Sequence, residues 1–376
     1  MKITAIDSRV IGYDVAEAWG EGILPEGIST SWYEYSFDTF ETDDGIVGYT
    51  MQNANLRDGA AMINVVHDLY APQVIGEDPL QSEALWQKLR RLNRHAYNLS
   101  DGIAGAIDVA VWDIRGKAAG MPIATMLGLA REKIPAYATA RNIEPTPEDV
   151  YQEAAQRKAQ GYHGFKIQFW DGLDRDIPRF KAAREAVGDD YPLMQDAAGM
   201  YTYTQALAAG KVLGELGYTW FEEPIPDRNL FQLQRLTEQL DVPILAGETS
   251  RVHELAEGIR MGAFDIARGD VHMKEGITGL HKAAGMADLL GFELEVHGIN
   301  QPLLDTANLH VALSMSNGRW SETFHPIYYR GLKGGPLDID AEGYKHLPPG
   351  PGLGVELDWD WIDDNTRSTR RTPAAR

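Results

Sequence analysis

Three carboxylates stand at equal intervals in this chain: Asp196, Glu222 and Glu248, each 26 residues from the next. Each closes a short apolar run, Leu193-Met194-Gln195-Asp196, Trp220-Phe221-Glu222 and Ile244-Leu245-Ala246-Gly247-Glu248, and each is followed by a helix-like segment. A repeating strand–helix unit would bring the three acids side by side. Carboxylates crowded in that way repel one another unless a cation lies between them. Hard oxygen donors without His or Cys among them suit Mg²⁺, which keeps positions open for water and substrate. The macrodipole would favour any one such acid at a helix N-terminus, but that does not explain the same position on three successive units. Glu223, between Glu222 and Pro224, should point the other way.

A second set follows the next two apolar runs. Asp270 ends one and His297 ends the other. A carboxylate held against one imidazole nitrogen fixes the tautomer and raises the basicity of the other nitrogen. Lys166 and Gln168 close an earlier run and Glu322 a later one. Lys166 can bind a substrate carboxylate oxygen, or form a salt bridge to Asp196 or Glu222, or do both. Arg268, two residues before Asp270, shares its inward face and needs an acid partner if buried, Glu248 or Asp270 being the obvious ones. His272 reads as a substrate contact or a structural residue, and Lys274 as secondary.

These residues are positioned by an alternation that starts near Ile134. Strands are predicted from about Pro135, Phe165, Pro192, Thr219, Pro243, Phe264, Phe292 and Trp320, with helices at 147–160, 174–187, 203–216, 229–240, 252–262, 276–290 and 302–316. Eight strands with seven intervening helices at this spacing indicate a parallel barrel, whose chemistry sits at the C-terminal strand ends. Ahead of it, residues 3–12, 33–40 and 46–52 read as strands, the last two joined by Thr42-Asp43-Asp44-Gly45, a hairpin signal. Helical periodicity then runs from Asp58 to about Gly120. The division expected is an α+β domain at 1–125, a barrel at 126–325 and a segment at 326–376 that packs back on the first domain. Residues after about Asp364 are polar and basic and read as frayed. The glycine-rich stretch around Trp19, within about residues 13–33, and an amide-rich stretch at 50–58 that includes Asn53 read as a pair of covering loops able to meet a substrate.

Composition narrows the chemistry further. The 376 residues contain no cysteine, which excludes disulfides, thiolate metal sites and cysteine nucleophiles. A formal net charge of −20 disfavours nucleic acid and anionic membranes as partners. The first residues lack the apolar core of a signal peptide, and no apolar run reaches membrane-spanning length, so a cytoplasmic location is expected. A metal and one lysine could still reverse the sign locally for a small carboxylate substrate.

With these residues in place, the chain resembles the mandelate racemase branch of the enolase superfamily over nearly its whole length. The resemblance is carried by Ala106–Lys117, Trp220-Phe221-Glu222-Glu223-Pro224, Ala246-Gly247-Glu248 and Pro349-Gly350-Pro351-Gly352-Leu353-Gly354-Val355. It implies an N-terminal α+β capping domain over a modified (β/α)₇β barrel of the TIM type, and one Mg²⁺ held by Asp196, Glu222 and Glu248. It also implies removal of the proton α to a substrate carboxylate, with the metal and Lys166 stabilising the enediolate and Glu322 hydrogen-bonding it. Asp270 followed by His297, with no catalytic lysine on the sixth strand, matches this branch rather than the muconate cycloisomerase branch. One departure bears directly on the reaction. The branch commonly has Lys-x-Lys on the second strand, whereas here the stretch is Lys166-Ile167-Gln168. Glutamine cannot accept a proton, so two-base racemisation or epimerisation is disfavoured. A single His297 can instead take the α-proton and protonate a β-hydroxyl on the same face, which makes an acid-sugar dehydratase the leading expectation. A second departure is Asp196-Ala197-Ala198, where relatives often place an asparagine two residues after the aspartate. The rival expectations are a single-base cycloisomerase or lactone-opening enzyme, and a retired enzyme kept to bind a ligand. A homo-oligomer is expected.

Overall fold

The computed structural model describes residues 1–15, 32–54, 59–93, 95, 99–140 and 145–374. The first three strands, β1 (Ile3–Asp14), β2 (Trp32–Thr42) and β3 (Val47–Ala54), form an antiparallel meander. The β2–β3 hairpin turns through Gly45, whose φ of 77° and amide bond to the Thr42 carbonyl match the Asp-Gly signal. One face of this sheet packs on the helix Gly102–Ala119, nearly all of which is buried.

Eight strands then close a parallel barrel: β4 (Lys133–Ala140), β5 (Gly164–Gln168), β6 (Leu193–Asp196), β7 (Trp220–Glu222), β8 (Ile244–Ala246), β9 (Ile266–Gly269), β10 (Glu293–Val296) and β11 (Ser321–Thr323). β11 returns to pair with β4, and the seven helices between the strands fall close to the expected spans. This is the (β/α)₇β barrel with an N-terminal cap. The interior is filled by Tyr137, Met194, Trp220, Leu245 and Ile266, with Tyr137 edge-on to Trp220 at 5.6 Å. This apolar plug is the floor on which the acids stand. Among the described residues no helix is long and apolar enough to cross a membrane.

The end of the chain differs from the frayed tail that its composition suggests. After the short strands β12 (Leu332–Lys333), β13 (Tyr344–His346) and β14 (Glu356–Leu357), a final strand β15 (Thr366–Pro373) pairs antiparallel with β1. The basic residues are the reason. Arg371 makes two bonds to Glu41 at 2.6 and 2.7 Å, and Arg370 pairs with Asp68. A polar edge strand is held here by charge and ladder bonds, with little apolar burial of its own.

The cap is tied to the barrel at the loop following β9, which carries Asp270. Gly102 and Gly105 let the cap helix ride directly on it: a Cβ at Gly102 would lie 2.1 Å from the His272 ring, and one at Gly105 would lie 2.6 Å from the Val271 carbonyl. Trp86 donates to the Glu275 carbonyl at 2.7 Å, and Trp112 to the Thr278 hydroxyl at 2.8 Å. Asp108 accepts from the Thr278 amide and hydroxyl at 2.8 and 2.9 Å. Burial pushes the Asp108 carboxyl up to about 7, against those two bonds. The folded chain therefore keeps a proton that the unfolded chain releases above about pH 4. Stability contributed at this position is fully present at low pH and declines as pH rises to about 7, by up to about 1.4 kcal/mol per pH unit. Asp108→Asn keeps an acceptor and a donor for Thr278 but cannot ionise. Its melting temperature should fall less than that of the parent between pH 5 and 7.5, and an identical slope in both proteins would refute the assignment.

Candidate active site

The register of the barrel decides how the acids meet. Gln168 is level with Asp196, and Asp196 with Glu222, so these three side chains share one row across β5, β6 and β7. On β8 the residue level with Glu222 is Leu245, so Glu248 sits three residues further up. Equal spacing in sequence therefore does not give a level row. Two acids lie side by side, and the third stands nearer the mouth. There its side chain is 16% exposed, as is that of His297 at 17%, while those of Lys166, Asp196, Glu222, Arg268 and Glu322 are at most 6% exposed.

A buried cluster of ion pairs fills the lower level. The Lys166 ammonium lies 2.8 Å from Glu322 Oε1, 3.0 Å from Glu222 Oε2 and 3.4 Å from Asp196 Oδ2. Arg268 reaches Glu222 Oε1 at 2.8 Å and Glu322 Oε2 at 2.6 Å. Its partners are thus Glu222 and Glu322, not Glu248 or Asp270 as the sequence suggested. The reason is its place in β9, one layer below Asp270 and facing across the barrel. Burial works against both cations, but the neighbouring carboxylates outweigh it and hold Lys166 and Arg268 firmly protonated. Glu322 also accepts from the Thr139 hydroxyl at 2.5 Å and the Gly298 amide at 3.0 Å. Despite burial, Lys166 and Arg268 keep it ionised well below the usual carboxylate range. In this state Glu322 is an acceptor only, and the two cations oppose the proton it would need to donate to an enediolate.

The upper level holds the dyad. His297 Nδ1 is 2.8 Å from Asp270 Oδ2, and Asp270 Oδ1 accepts the amides of His272 and Met273, both at 2.7 Å. His297 Nε2 faces Glu248 Oε2 at 3.4 Å. Burial disfavours the imidazolium, but Glu248 and the bond to Asp270 prevail and push His297 up to about 9. Glu248 itself is pushed up to about 7, by burial and by repulsion from Glu222 and Asp196 that His297 only partly offsets.

As they stand, no three acid or histidine side chains among the described residues close on a common metal point. The donor chemistry nevertheless fits a hard divalent cation. Glu222 and Glu248 are both raised by burial first, and then by neighbouring carboxylates, Asp196 and Glu322 at Glu222, and Glu222 and Asp196 at Glu248. Glu222 Oε1 is buried and makes a charge contact to Arg268 without a hydrogen-bond partner. Gln168 donates to Asp196 Oδ2 at 2.7 Å, leaving Oδ1 with the Ala198 amide.

The remaining candidates fall into place around this core. Glu223 has a positive φ of 39°, which breaks the strand alternation immediately after Glu222. Lys274 donates to the carbonyls of Gly247, Glu248 and Ser250 at 2.6–2.8 Å, and so staples the loop that carries Glu248. His272 is buried against Gly102 in the cap seam, and its Nδ1 has no partner among the described residues. Asn53 pairs through its backbone with Tyr35, but its side chain, like Trp19, lies outside the described residues. Sequence reasoning missed Thr139, Asp305, Asn308 and Lys345. Buried polar residues in a strand, a helix and a tail segment look like ordinary surface residues until the fold brings them together.

Two family models cover the chain: the mandelate racemase/muconate lactonizing enzyme N-terminal domain over residues 31–128, and the enolase C-terminal domain-like model over 149–361. The arabinonate dehydratase of Saccharolobus solfataricus is 33% identical across 90% of this chain and 92% of that protein. The D-galactarolactone cycloisomerase of Agrobacterium fabrum is 32% identical across 86% and 89%. In structure, the chain overlays D-glucarate dehydratase from Agrobacterium tumefaciens, solved with magnesium, with a TM-score of 0.88 and 31% identity over 98% of this chain and 100% of that one. The chain belongs to the mandelate racemase/muconate lactonizing enzyme family of the enolase superfamily.

Proposed function

We propose that this protein is a Mg²⁺-dependent dehydratase of an acid sugar, working through one base. The observation that carries the reading is the pairing of the His297–Asp270 dyad with Gln168. His297 can move a proton on its face of the site once Glu248 is taken up as a metal ligand, and β5 offers at Gln168 only an amide bonded to Asp196. Relatives that are dehydratases of arabinonate and of D-glucarate support the same reading.

Asp196, Glu222 and Glu248 would hold the cation, which supplies charge stabilisation to a substrate carboxylate as its α-carbon loses a proton. The chain's own groups do the rest. Lys166 sets a positive charge beside the same carboxylate and is held there by Glu322. Asp270 fixes the proton on His297 Nδ1, so Nε2 is the atom that faces substrate. Glu248 and Asp270 together favour a proton on the imidazole, and neutralising Glu248 removes the largest single contribution and moves His297 toward a free base. His297 then takes the α-proton and returns it to the β-hydroxyl on the same face. Water leaves, and the enol tautomerises to a 2-keto-3-deoxy acid.

Incubation with a panel of aldonates and aldarates should yield a 2-keto product with Mg²⁺. Turnover should fall by at least about 100-fold after EDTA and return with added Mg²⁺. If no acid in the panel loses water, the reading fails. The cycloisomerase relative at 32% identity makes ring opening or closure the second reading, and there the product keeps the substrate's mass.

A further inference from the structure

The seventh and eighth barrel strands are joined by a single level pair, Val296 with Ser321. Behind that weak seam lies a cavity of about 10 Å³, lined by His297, Asp305, Asn308, Ser321, Glu322 and Lys345 among others. Three of these residues are buried polar groups that the chemistry above does not use. Lys345 is 1% exposed, Asn308 4% and Asp305 5%.

Each is bonded to the main chain of a residue in the active site or beside it. Asn308 accepts from the Val271 amide at 2.8 Å and donates to the His297 carbonyl at 2.9 Å. One side chain thus bridges the backbone that follows Asp270 and the backbone of His297. Asp305 accepts the Ile299 amide at 2.7 Å and the Gln301 amide at 3.3 Å, so it shapes the loop leaving His297. Lys345 reaches in from β13, which pairs with the lower half of β4, and donates to the Glu322 carbonyl at 2.6 Å. A buried ammonium with so few bonds is costly, and a methionine would fill the same space without that cost. What the lysine supplies is a fixed orientation for the peptide of Glu322, on a strand only three residues long.

We propose that Asn308 and Lys345 are positioning residues. Asn308 locks the His297–Asp270 pair from behind, and Lys345, contributed by the segment after the barrel, locks Glu322. A misplacement of about 1 Å in such groups can cost about 100-fold in rate. The kinetic part rests on the dehydratase reading, whereas the structural part does not.

The test uses Lys345→Met and Asn308→Asp. The latter keeps the acceptor for Val271 and loses the donor to the His297 carbonyl and to Asp305 Oδ1. Crystal structures of both should show the defect: Glu322 detached from the Gly298 amide in K345M, and the His297 ring turned from Asp270 in N308D. With Mg²⁺ and an acid sugar that the parent dehydrates, kcat per folded molecule should fall about 30- to 100-fold, with KM within about threefold. If K345M does not fold, Lys345→Gln, whose shorter neutral side chain cannot reach the Glu322 carbonyl, takes its place for the Glu322 half, and N308D decides the His297 half. Unmoved Glu322 and His297 in the crystals would overturn it whether or not a substrate is known. So would a kcat equal to the parent's alongside a lowered melting temperature, which would show a merely structural role.

Discussion

Replacing His297 by Asn should abolish dehydration, with turnover down by about 10³-fold or more, and leave the fold intact. The two halves of that expectation have separate grounds. Turnover depends on Nε2, the imidazole nitrogen that Asp270 leaves facing the mouth, and an amide cannot take its place. Stability depends on what the substitution leaves behind. Asp270 still accepts two main-chain amides at 2.7 Å, so its carboxylate is not stranded. Asparagine fills part of the space of the mostly buried His297 ring and keeps a polar group there, so the loss of packing is small. A melting temperature within about 2 °C of the parent is expected. Turnover at the parent's rate in H297N would remove the single-base mechanism. A large loss of stability would instead show that the dyad is part of the scaffold.

Legibility in the sequence followed the physics of each element. The barrel was readable because strand and helix alternate at a spacing that few other architectures share, and because an apolar run ending in a charged residue marks a strand's mouth. Asp196, Glu222, Asp270, His297 and Glu322 could each be placed in that way. What remained hidden was register. Equal intervals suggested three level carboxylates, yet Glu222 is level with Leu245, and Glu248 stands higher, against His297. A strand pairing shifted by three residues leaves no trace in spacing. The partners of Arg268 were hidden for the same reason, since sequence neighbours do not show which side chain lies across a barrel. The tail is illegible in the sequence because an edge strand held by Arg370 and Arg371 has the composition of a disordered end. Lys345 was invisible because a lysine in a turn-rich tail is ordinarily solvated, and only the antiparallel pairing of β13 with β4 carries it inside.

Lys166→Met should differ from H297N in losing stability as well as turnover, with a stability loss that depends on metal. Lys166 is 1% exposed and lies within 3.4 Å of three carboxylates. Removing it leaves Glu222 and Glu322 sharing Arg268 alone, with Asp196 held only by neutral donors. Breaking one side of a buried ion pair costs about 3–5 kcal/mol. For a chain of this size that corresponds to a melting temperature lower by about 4–6 °C without metal. A divalent cation bound by Asp196, Glu222 and Glu248 compensates the first two of these acids but not Glu322. Added Mg²⁺ should therefore raise the melting temperature of K166M by more than it raises the parent's, while stopping short of full recovery. Turnover should stay at least about 10³-fold down even at saturating Mg²⁺, because the charge beside the substrate carboxylate is gone. Lys166→Arg should recover only part of the stability, because the charge returns but its fixed planar fork does not fit three separate carboxylates around one point, and should not recover the rate. An equal response to Mg²⁺ in K166M and the parent would show that the three acids do not share a cation. Parent-like turnover in K166R would show that this site needs only the charge of Lys166 and not its shape.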